Sequence, residues 1–190
     1  MITNNEYSVT KNKINNVALK LFNKNGIKAT SIRQIAKDVG ITEGAIYKHF
    51  ESKDQIAYEI FEFYMINFRE LLLDESGKTS EPGKKIILLV EAFFDFAKNY
   101  PMGYTYIMIG HYTQLTKLKK DFIKPKDIFE DCIREGIKKN IFRKNDPNLA
   151  VAMVVGLLTR TILFRQNNLI DLNDDLILEE ITSSVIKLLK

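Results

Sequence analysis

The residues most able to do chemistry lie in the segment 30–53, where helix-capping residues alternate with apolar and basic side chains. Ser31 and Ser52 are each followed three residues later by a glutamine, and this S-x-x-Q spacing is a capping-box pattern that begins a helix. Gly40 lies where a helix end favours positive φ, and Thr42 is a good N-cap for the next helix. A helix, a short glycine turn and a second helix make a helix-turn-helix, whose chemistry is contact with the grooves and phosphates of DNA.

The second helix of this pair, expected at 43–49, would enter the major groove with its first residues at base edges. Small residues near its start allow the backbone to approach DNA, and its polar side chains can donate to phosphates. Helix N-termini also favour a bound phosphate, and Lys53 adds a full charge at one of them. The predicted DNA-contacting residues are Thr30, Ser31, Thr42, Glu43, Gly44, Ala45, Tyr47, Lys48, His49 and Lys53.

Several of these residues also have a purely structural interpretation. Ser31 can act only as a cap, Ala45 can belong to the core, and His49 can be an ordinary surface histidine. Glu43 either complements the helix dipole or accepts a hydrogen bond from a cytosine amino group, and the dipole interpretation is favoured.

The charge of the chain is unevenly distributed. The 190 residues carry a formal net charge of +4. Residues 1–53 hold nine Lys or Arg against four acidic residues, so the remainder holds 19 against 20. A basic amino-terminal quarter suits an anionic partner there and another task elsewhere, although lysines that simply solvate helix surfaces would give the same count.

Apolar residues at helical spacing account for the rest of the chain. The predicted helices beyond the helix-turn-helix cover 11–25, 53–72, 84–99, 102–112, 116–140, 147–167 and 174–189. Residues 1–10 are expected to form a loose arm and residues 73–82 a linker. Pro125 either kinks the helix at 116–140 or begins a new one. The fold class is therefore predicted as all-α, with about nine helices.

The composition argues against several other classes of protein. Cys132 is the only cysteine, which excludes an intramolecular disulfide framework, and it is more simply a small buried hydrophobe than a redox sensor. No apolar stretch reads as a signal peptide or a bilayer-spanning segment. Metal-ligand spacing and a nucleophile with a base partner are also missing, and G-K-T at 77–79 lacks the first glycine of a phosphate loop. We therefore expect a cytoplasmic protein that is not an enzyme and uses no cofactor or metal.

The segment 18–60 resembles the amino-terminal domain of the TetR family of transcriptional regulators. The resemblance is carried in order by A-x-x-L-F, G-x-x-x-T-S, I-A-x-x-x-G-I, G-x-I-Y-x-H-F and S-K-x-x-I. It extends over roughly 11–61, a quarter of the chain. The later part resembles the family in length, helical content and a D-P pair before an apolar helix.

The resemblance implies a homodimer that reads a palindromic DNA operator and is released by a small, largely apolar effector. It implies a helix-turn-helix domain at 8–53, a linking helix at 53–72 and an effector-binding and dimerisation domain at 73–190. Such a protein would act as a repressor without contacting membranes. The alternative is a small-molecule-binding or protein-interaction module whose helix-turn-helix no longer binds DNA.

Aromatic and methionine side chains are concentrated in the middle of the chain. Adaptable apolar walls with a few polar tips are typical of a ligand pocket, although each residue taken alone fits a core better. The predicted effector-pocket residues are Phe61, Tyr64, Phe93, Phe94, Tyr100, Met102, Tyr104, Met108, His111 and Tyr112.

The helix at 147–166 is apolar almost all round, so it is either buried in a core or covered by a partner. With the last helix it could form a four-helix interface between two subunits, unless both pack wholly within their own subunit. The two-fold symmetry needed to read two half-sites favours the interface. The predicted interface residues are Ala150, Val151, Val154, Val155, Leu158, Ile162, Ile177, Ile181 and Val185.

Overall fold

A computed structural model of the chain describes residues 4–109 and 112–190, with side chains for 9–108 and 114–190. These residues form ten α-helices and no β-strand, which confirms the predicted all-α class. The helices are α1 Asn4–Asn25, α2 Ile32–Val39, α3 Glu43–Tyr47, α4 Lys53–Gly77, α5 Pro82–Asn99, α6 Pro101–Ile109, α7 Tyr112–Leu115, α8 Pro125–Lys138, α9 Pro147–Gln166 and α10 Asp174–Leu189.

The helices α1 and α4 extend well beyond their predicted bounds. The loose arm is wrong for residues 4–10, because α1 already begins at Asn4. The linker predicted at 73–82 is shorter, because α4 continues to Gly77. In both segments no proline interrupts the helix, so the chain continues helical beyond the apolar stripe that marked it in the sequence.

Pro125 begins α8 and does not kink a longer helix, so the prediction of helix at 116–124 is wrong. Lys124 is the N-cap residue, and its backbone N–H donates to the Asp127 carboxylate at 2.8 Å. Proline suits the first turn because its missing N–H would have no partner there.

The chain divides into two compact units, and the division differs from the predicted domain boundaries. The first unit contains the residues up to Tyr64 and also Met102–Lys119, which the sequence assigned to the effector domain. Within this unit the Tyr106 hydroxyl donates to the Ala57 carbonyl oxygen at 3.0 Å, and its ring stacks 6.2 Å from that of Phe22. These buried contacts place α6 in the same core as α1 and the first part of α4.

The second unit contains Met65–Pro101 and Lys120–Lys190. There α5 packs against α8, α9 and α10, and α9 packs between α8 and α10. The Phe68 ring lies 5.1 Å from that of Phe93 and 4.6 Å from that of Phe96, so aromatic contacts form much of this core.

Cys132 is buried in the second unit. Its thiol donates a weak hydrogen bond to the Pro82 carbonyl oxygen at 3.6 Å, and burial raises the pKa of the thiol to about 12. A thiol that stays protonated at neutral pH is a poor nucleophile, which supports the small-hydrophobe interpretation.

The helix α9 needs two corrections. By length and composition alone its 20 residues could cross a membrane, so the prediction that no segment is long enough was too strong, although core helices of soluble proteins pass the same test. The predicted dimer residues are also mostly core: Val155 is half-buried, and the other eight are buried within the second unit. Helical periodicity identified the apolar stripe, and the stripe packs inside the chain itself.

Candidate nucleic-acid interface

The turn between α2 and α3 has the geometry that the sequence predicted. Gly40 has φ 82° and ψ 32°, a left-handed conformation that glycine adopts without strain. The N–H groups of Gly40 and Ile41 both donate to the Ala36 carbonyl oxygen at 3.0 Å, so the turn satisfies the end of α2. The chain can therefore change direction at once and begin α3.

Three side-chain caps fix the helix starts around this turn. The hydroxyl oxygens of Ser31, Thr42 and Ser52 each accept a hydrogen bond of 3.1 Å from the backbone N–H three residues later. The Gln55 side chain also accepts from the Glu51 N–H at 2.6 Å, which holds the chain entering α4. These caps confirm the local pattern read from the sequence.

The helix α3 has one buried and one exposed face. Ile46 and Phe50 are almost fully buried, and Ala45 is half-buried beside them. The α-helix ends at Tyr47, two residues before the predicted end, because the chain tightens into a turn in which the His49 N–H donates to the Ile46 carbonyl oxygen. The exposed residues are Thr42, Glu43, Gly44, Tyr47 and Lys48.

The exposed face of α3 carries a large side chain that extends from the surface, next to backbone that no other residue covers. Tyr47 is 54% exposed although it is a large aromatic residue. A methyl group added at Gly44 would meet nothing closer than the Thr42 hydroxyl at 3.9 Å, so the space above this residue is open. Glu43 lies in the first turn of α3, where its charge complements the helix dipole. Such a surface can lie against a groove with side chains toward both bases and phosphates.

Thr30, predicted to bind a phosphate, is instead part of the core. It is 1% exposed, and its hydroxyl donates to the Gly26 carbonyl oxygen at 2.9 Å and more weakly to that of Leu21. A buried hydroxyl whose proton is already donated within the fold does not reach DNA, so this prediction is wrong.

Lys53, also predicted at a phosphate, points to protein groups in the free chain. Its ammonium nitrogen donates to the carbonyl oxygen of Thr30 at 2.5 Å and to that of Lys28 at 3.3 Å. Sequence reasoning missed this contact, because nothing in the local pattern shows that the turn between α1 and α2 meets the start of α4.

His49 is half-buried at the end of the α3 segment. Burial lowers the pKa of its imidazole, and the nearby charges of Lys11 and Lys48 lower it further. Lys11 also forms an ion pair with Glu59 at 2.7 Å and lies over the Phe50 ring at 5.0 Å. Lys11 therefore links α1 to α4 through its ion pair, a role that its position in the sequence did not indicate.

The residues predicted for the effector pocket have different surroundings. In the first unit Phe61 and Tyr104 are fully buried, and the Tyr64 ring lies against Gly103, where an added methyl carbon would lie 2.3 Å from it. Met108 is half-buried and Met102 exposed. The surroundings of Phe61, Tyr64 and Tyr104 are therefore those of a packed core.

The other predicted pocket residues belong to the second unit or lie outside the description. Phe93 is buried, Phe94 half-buried and Tyr100 exposed. His111 lies outside the described residues, and nothing is described of the Tyr112 side chain.

A cleft of about 370 Å³ opens on the second unit, and Phe94 is the only predicted pocket residue with a described side chain that lines it. Its charged residues interact with one another: Asp174 lies 3.7 Å from the Lys98 ammonium nitrogen and 3.2 Å from Arg165 Nε. The aromatic pattern in the sequence did not point to this cleft, because ends of α5 and α9 and the start of α10 form it.

A sequence model described as "Bacterial regulatory proteins, tetR family" matches residues 14–60, the segment that holds the caps, the glycine turn and α3. Residues 14–60 are thus a TetR-family domain. The matched segment contains the whole helix-turn-helix formed by α2 and α3.

Individual TetR-family relatives extend the comparison. The chain is 40% identical over 89 residues to the HTH-type transcriptional regulator AcrR of Shigella flexneri, covering 47% of this chain and 40% of AcrR. It is 29% identical over 147 residues to the HTH-type transcriptional repressor KstR2 of Mycolicibacterium smegmatis, covering 73% and 68%. The chain therefore spans less than half the length of AcrR in this match.

Among solved structures, AibR in complex with isovaleryl coenzyme A and operator DNA superposes with a TM-score of 0.79, covering 93% of this chain and 98% of AibR. The sequences are 17% identical, so this likeness shows a shared fold.

Proposed function

We propose that this chain is a TetR-family transcriptional repressor that binds a palindromic DNA operator as a homodimer and is released by a small, largely apolar effector. The observation that carries the proposal is the exposed face of α3, anchored by buried Ile46 and Phe50 directly after the Gly40 turn. Rigid anchoring with exposed Tyr47 and Lys48 is what a groove-reading helix requires.

The proposed DNA contacts combine bases and phosphates. Thr42, Glu43 and Gly44 lie at the start of α3 and would meet base edges, whereas Tyr47, Lys48 and His49 would meet phosphates. Ala45 lies between the exposed and buried faces, and the Ser31 hydroxyl can touch a phosphate while it caps α2. The excess of basic residues in 1–53 supports the same surface.

The salt dependence of binding to DNA from upstream of its own gene tests the proposal. Fluorescence anisotropy at several potassium chloride concentrations should show affinity falling steeply with salt, because bound lysines release counterions from phosphates. Lys48→Ala should make the slope of log K against log salt shallower by about 0.9. Lys144→Ala, an exposed lysine of the second unit, is the matched control and should leave the slope unchanged. Salt-independent binding, or none, would contradict the proposal.

The homodimer is proposed to form through apolar side chains that the chain leaves exposed on α9 and α10. Leu149, Met153, Phe164 and Leu176 are each more than one-third exposed. Large apolar side chains that remain exposed along two neighbouring helices suit a two-fold interface between identical subunits. Sedimentation velocity should give a species of twice the chain mass, and a monomer at all concentrations would contradict this part.

For the effector, the first candidate to test is a small apolar acyl group carried as a thioester on the large, anionic coenzyme A, because the structurally similar AibR is described in complex with isovaleryl coenzyme A. Isovaleryl coenzyme A should raise the apparent dissociation constant for DNA, whereas free coenzyme A should not. The same change with both ligands would show that the acyl chain is not recognised. A repressor of chromosomal genes acts in the cytoplasm, which is the location that we propose.

A further inference from the structure

The cleft on the second unit lies where three helix ends meet. It is lined by residues near the C-terminal ends of α5 and α9 and by residues near the start of α10. Phe94, Ile162 and Leu178 give it an apolar wall, and charged and amide side chains form much of the rest. Its volume of about 370 Å³ is near the lower end of the range of ligand pockets. Such a cleft suits a small molecule with an apolar body and a polar head.

The charges of the cleft favour a positive head. Three aspartates, one lysine and one arginine line it, so its formal charge is −1. Asp174 lies 3.7 Å from the Lys98 ammonium nitrogen and 3.2 Å from Arg165 Nε. Neither Asp95 nor Asp175 forms an ion pair with the residues that the structure describes. Both cations of the cleft are therefore engaged, whereas two of its carboxylates are not.

The fold gains from only one of these two carboxylates. Asp175 lies in the first turn of α10, where a negative charge complements the helix dipole. Asp95 lies near the C-terminal end of α5, where the dipole favours a cation. Asp95 is thus the carboxylate whose charge is better matched by a cation from outside the chain.

A backbone acceptor without a donor lies on the same helix. The Ala97 carbonyl oxygen would accept from the N–H of residue 101 if α5 continued, but residue 101 is a proline and has none. The Tyr100 N–H donates to the Phe96 carbonyl oxygen, and no residue that the structure describes donates to that of Ala97. Ala97 is only 4% exposed, and a buried carbonyl without a partner is rare. Helical carbonyls point toward the C-terminus, and Ala97 and Pro101 both line the cleft, so a donor bound there can satisfy this oxygen.

The proposed dimer interface uses other faces of α9 and α10. Phe164 is two residues from Ile162 of the cleft, and Leu176 is two residues from Leu178. Residues two apart lie on opposite sides of an α-helix. The exposed apolar side chains proposed for the interface therefore point away from those that line the cleft.

We propose that this cleft is a ligand site for a small organic cation that carries several N–H donors on an apolar body, as an arylalkylguanidinium does. A guanidinium presents five N–H donors in a plane, so it can pair with the Asp95 carboxylate and also donate to the Ala97 carbonyl oxygen. The apolar body packs on Phe94 and Leu178. The unpaired carboxylates repel phosphates, so this site is separate from that of an acyl-coenzyme A effector and does not depend on DNA binding.

Three probes with one carbon skeleton test the site. Phenethylguanidinium has the charge and the donors, phenethyltrimethylammonium has the charge alone, and phenethyl alcohol has no charge. Nuclear magnetic resonance titrations of the isotope-labelled full chain at constant ionic strength should give a dissociation constant of about 1 mM for the guanidinium. The trimethylammonium probe should bind about tenfold more weakly, because its hydrogen bonds are lost, and the alcohol should not saturate the chain.

The amide signals of residues 94–98 and 174–178 should shift with the guanidinium. Shifts confined to the first unit, or equal affinity for all three probes, would overturn the proposal.

Asp95→Asn removes the carboxylate charge and keeps the size of the side chain. It should weaken guanidinium binding by about tenfold and leave the Tm unchanged, since Asp95 is exposed. Asp131→Asn changes an exposed helical aspartate of the second unit that does not line the cleft, so this matched control should bind as the wild type does. Wild-type affinity in Asp95→Asn, or an equal loss in both variants, would refute the site.

Pro101→Ala examines the backbone acceptor, because alanine supplies the N–H that can continue α5 to the Ala97 carbonyl oxygen. The guanidinium should then lose its advantage over the trimethylammonium probe, whose own affinity should stay near that of the wild type. An undiminished advantage would show that this carbonyl does not bind the ligand. No titration contains DNA, so a chain that bound no operator would refute the proposed function and leave the cleft to be decided by these probes.

Discussion

The helix-turn-helix and the apolar helix α9 differ in how directly their sequences determine the role of each side chain. Around Gly40 the caps, the turn and the inward residues of α3 all follow from spacings of three or four residues. In α9 the same spacings predicted the helix correctly, yet its predicted partner-facing residues pack inside the subunit. Caps and turns bond within one helical turn of themselves, whereas the partner of an apolar stripe depends on residues far along the chain.

Alanine substitution at one of two helical glycines, Gly136 and Gly44, should give the largest change in the free energy of unfolding. Neither has positive φ, so the backbone would accept alanine at both. A methyl carbon at Gly136 in α8 would nevertheless lie 2.0 Å from the Phe142 ring, whereas Gly44 in α3 has open space. We expect Gly136→Ala to lower the free energy of unfolding by about 3 kcal/mol, since overpacking forces the ring out of a buried site. Urea denaturation followed by circular dichroism measures this change.

Gly83→Ala is the matched control for Gly136→Ala, because its added methyl would lie 3.8 Å from Ile141, an ordinary contact. In a Phe142→Ala background the cost of Gly136→Ala should mostly disappear, because the clashing ring is gone. An equal cost with and without the ring would show that the clash is not its cause.

The next largest effect separates the two faces of α9. Val154→Ala should lower the free energy of unfolding by about 2 kcal/mol, because two buried methyl groups are lost and a small cavity remains. Met153→Glu, one residue along on the exposed face, should instead weaken self-association, measured by sedimentation velocity over a range of concentrations.

The opposite result would support the interface predicted from sequence. In that result Val154→Ala would lose the dimer while keeping wild-type subunit stability, and Met153→Glu would remain dimeric. The expected pattern would show that the exposed side of α9, and not its apolar stripe, meets the partner.

Gly44→Ala examines the exposed face of α3 with little effect on the fold. The added methyl has room, and alanine favours a helix over glycine, so the free energy of unfolding should stay equal or rise by up to about 1 kcal/mol. If the backbone of α3 approaches the groove closely, DNA affinity should fall by about tenfold in an anisotropy titration. Unchanged affinity would place Gly44 away from the DNA.

These contrasts show which parts of the molecule could be predicted from sequence. The all-α class, the capped starts of α2, α3 and α4 and the left-handed Gly40 were predictable, because each depends on neighbouring residues. The burial of Thr30 and the engagement of Lys53 were not, because residue 30 looks like an exposed cap until α1 and α4 are placed around it. The family resemblance even favoured the phosphate assignment of Thr30, since it compares residue types and not their partners.

The middle of the chain was harder for the same reason. The aromatic residues between 93 and 108 belong to two different units, and α6 joins the unit of the helix-turn-helix through the Tyr106–Ala57 hydrogen bond. Composition suggested one pocket, because aromatic side chains that line a ligand site and those that fill a core have the same helical spacing. The charged cleft beside Asp174 carried no aromatic pattern and was missed.

The smallest expected effect concerns His49, whose environment combines local and distant residues. Its pKa is below the ordinary 6.5 because of burial, Lys11 and Lys48. The folded chain therefore binds fewer protons than the unfolded chain between the lowered pKa and 6.5. The contribution of His49 to the free energy of unfolding is therefore fully present above pH 6.5. It is lost as the pH falls through the lowered pKa of the folded chain.

DNA binding should show the opposite pH dependence. A nearby phosphate favours the protonated imidazole, so binding takes up a proton and affinity should rise as the pH falls from 7.5 to 5.5. The gain is at most about tenfold for each unit by which DNA raises the pKa. Anisotropy titrations of wild type and His49→Gln at constant ionic strength measure it, and the variant should lose the pH dependence. An equal pH dependence in both would assign it to other groups, and would leave His49 as a residue that packs beside Lys11 without touching the DNA.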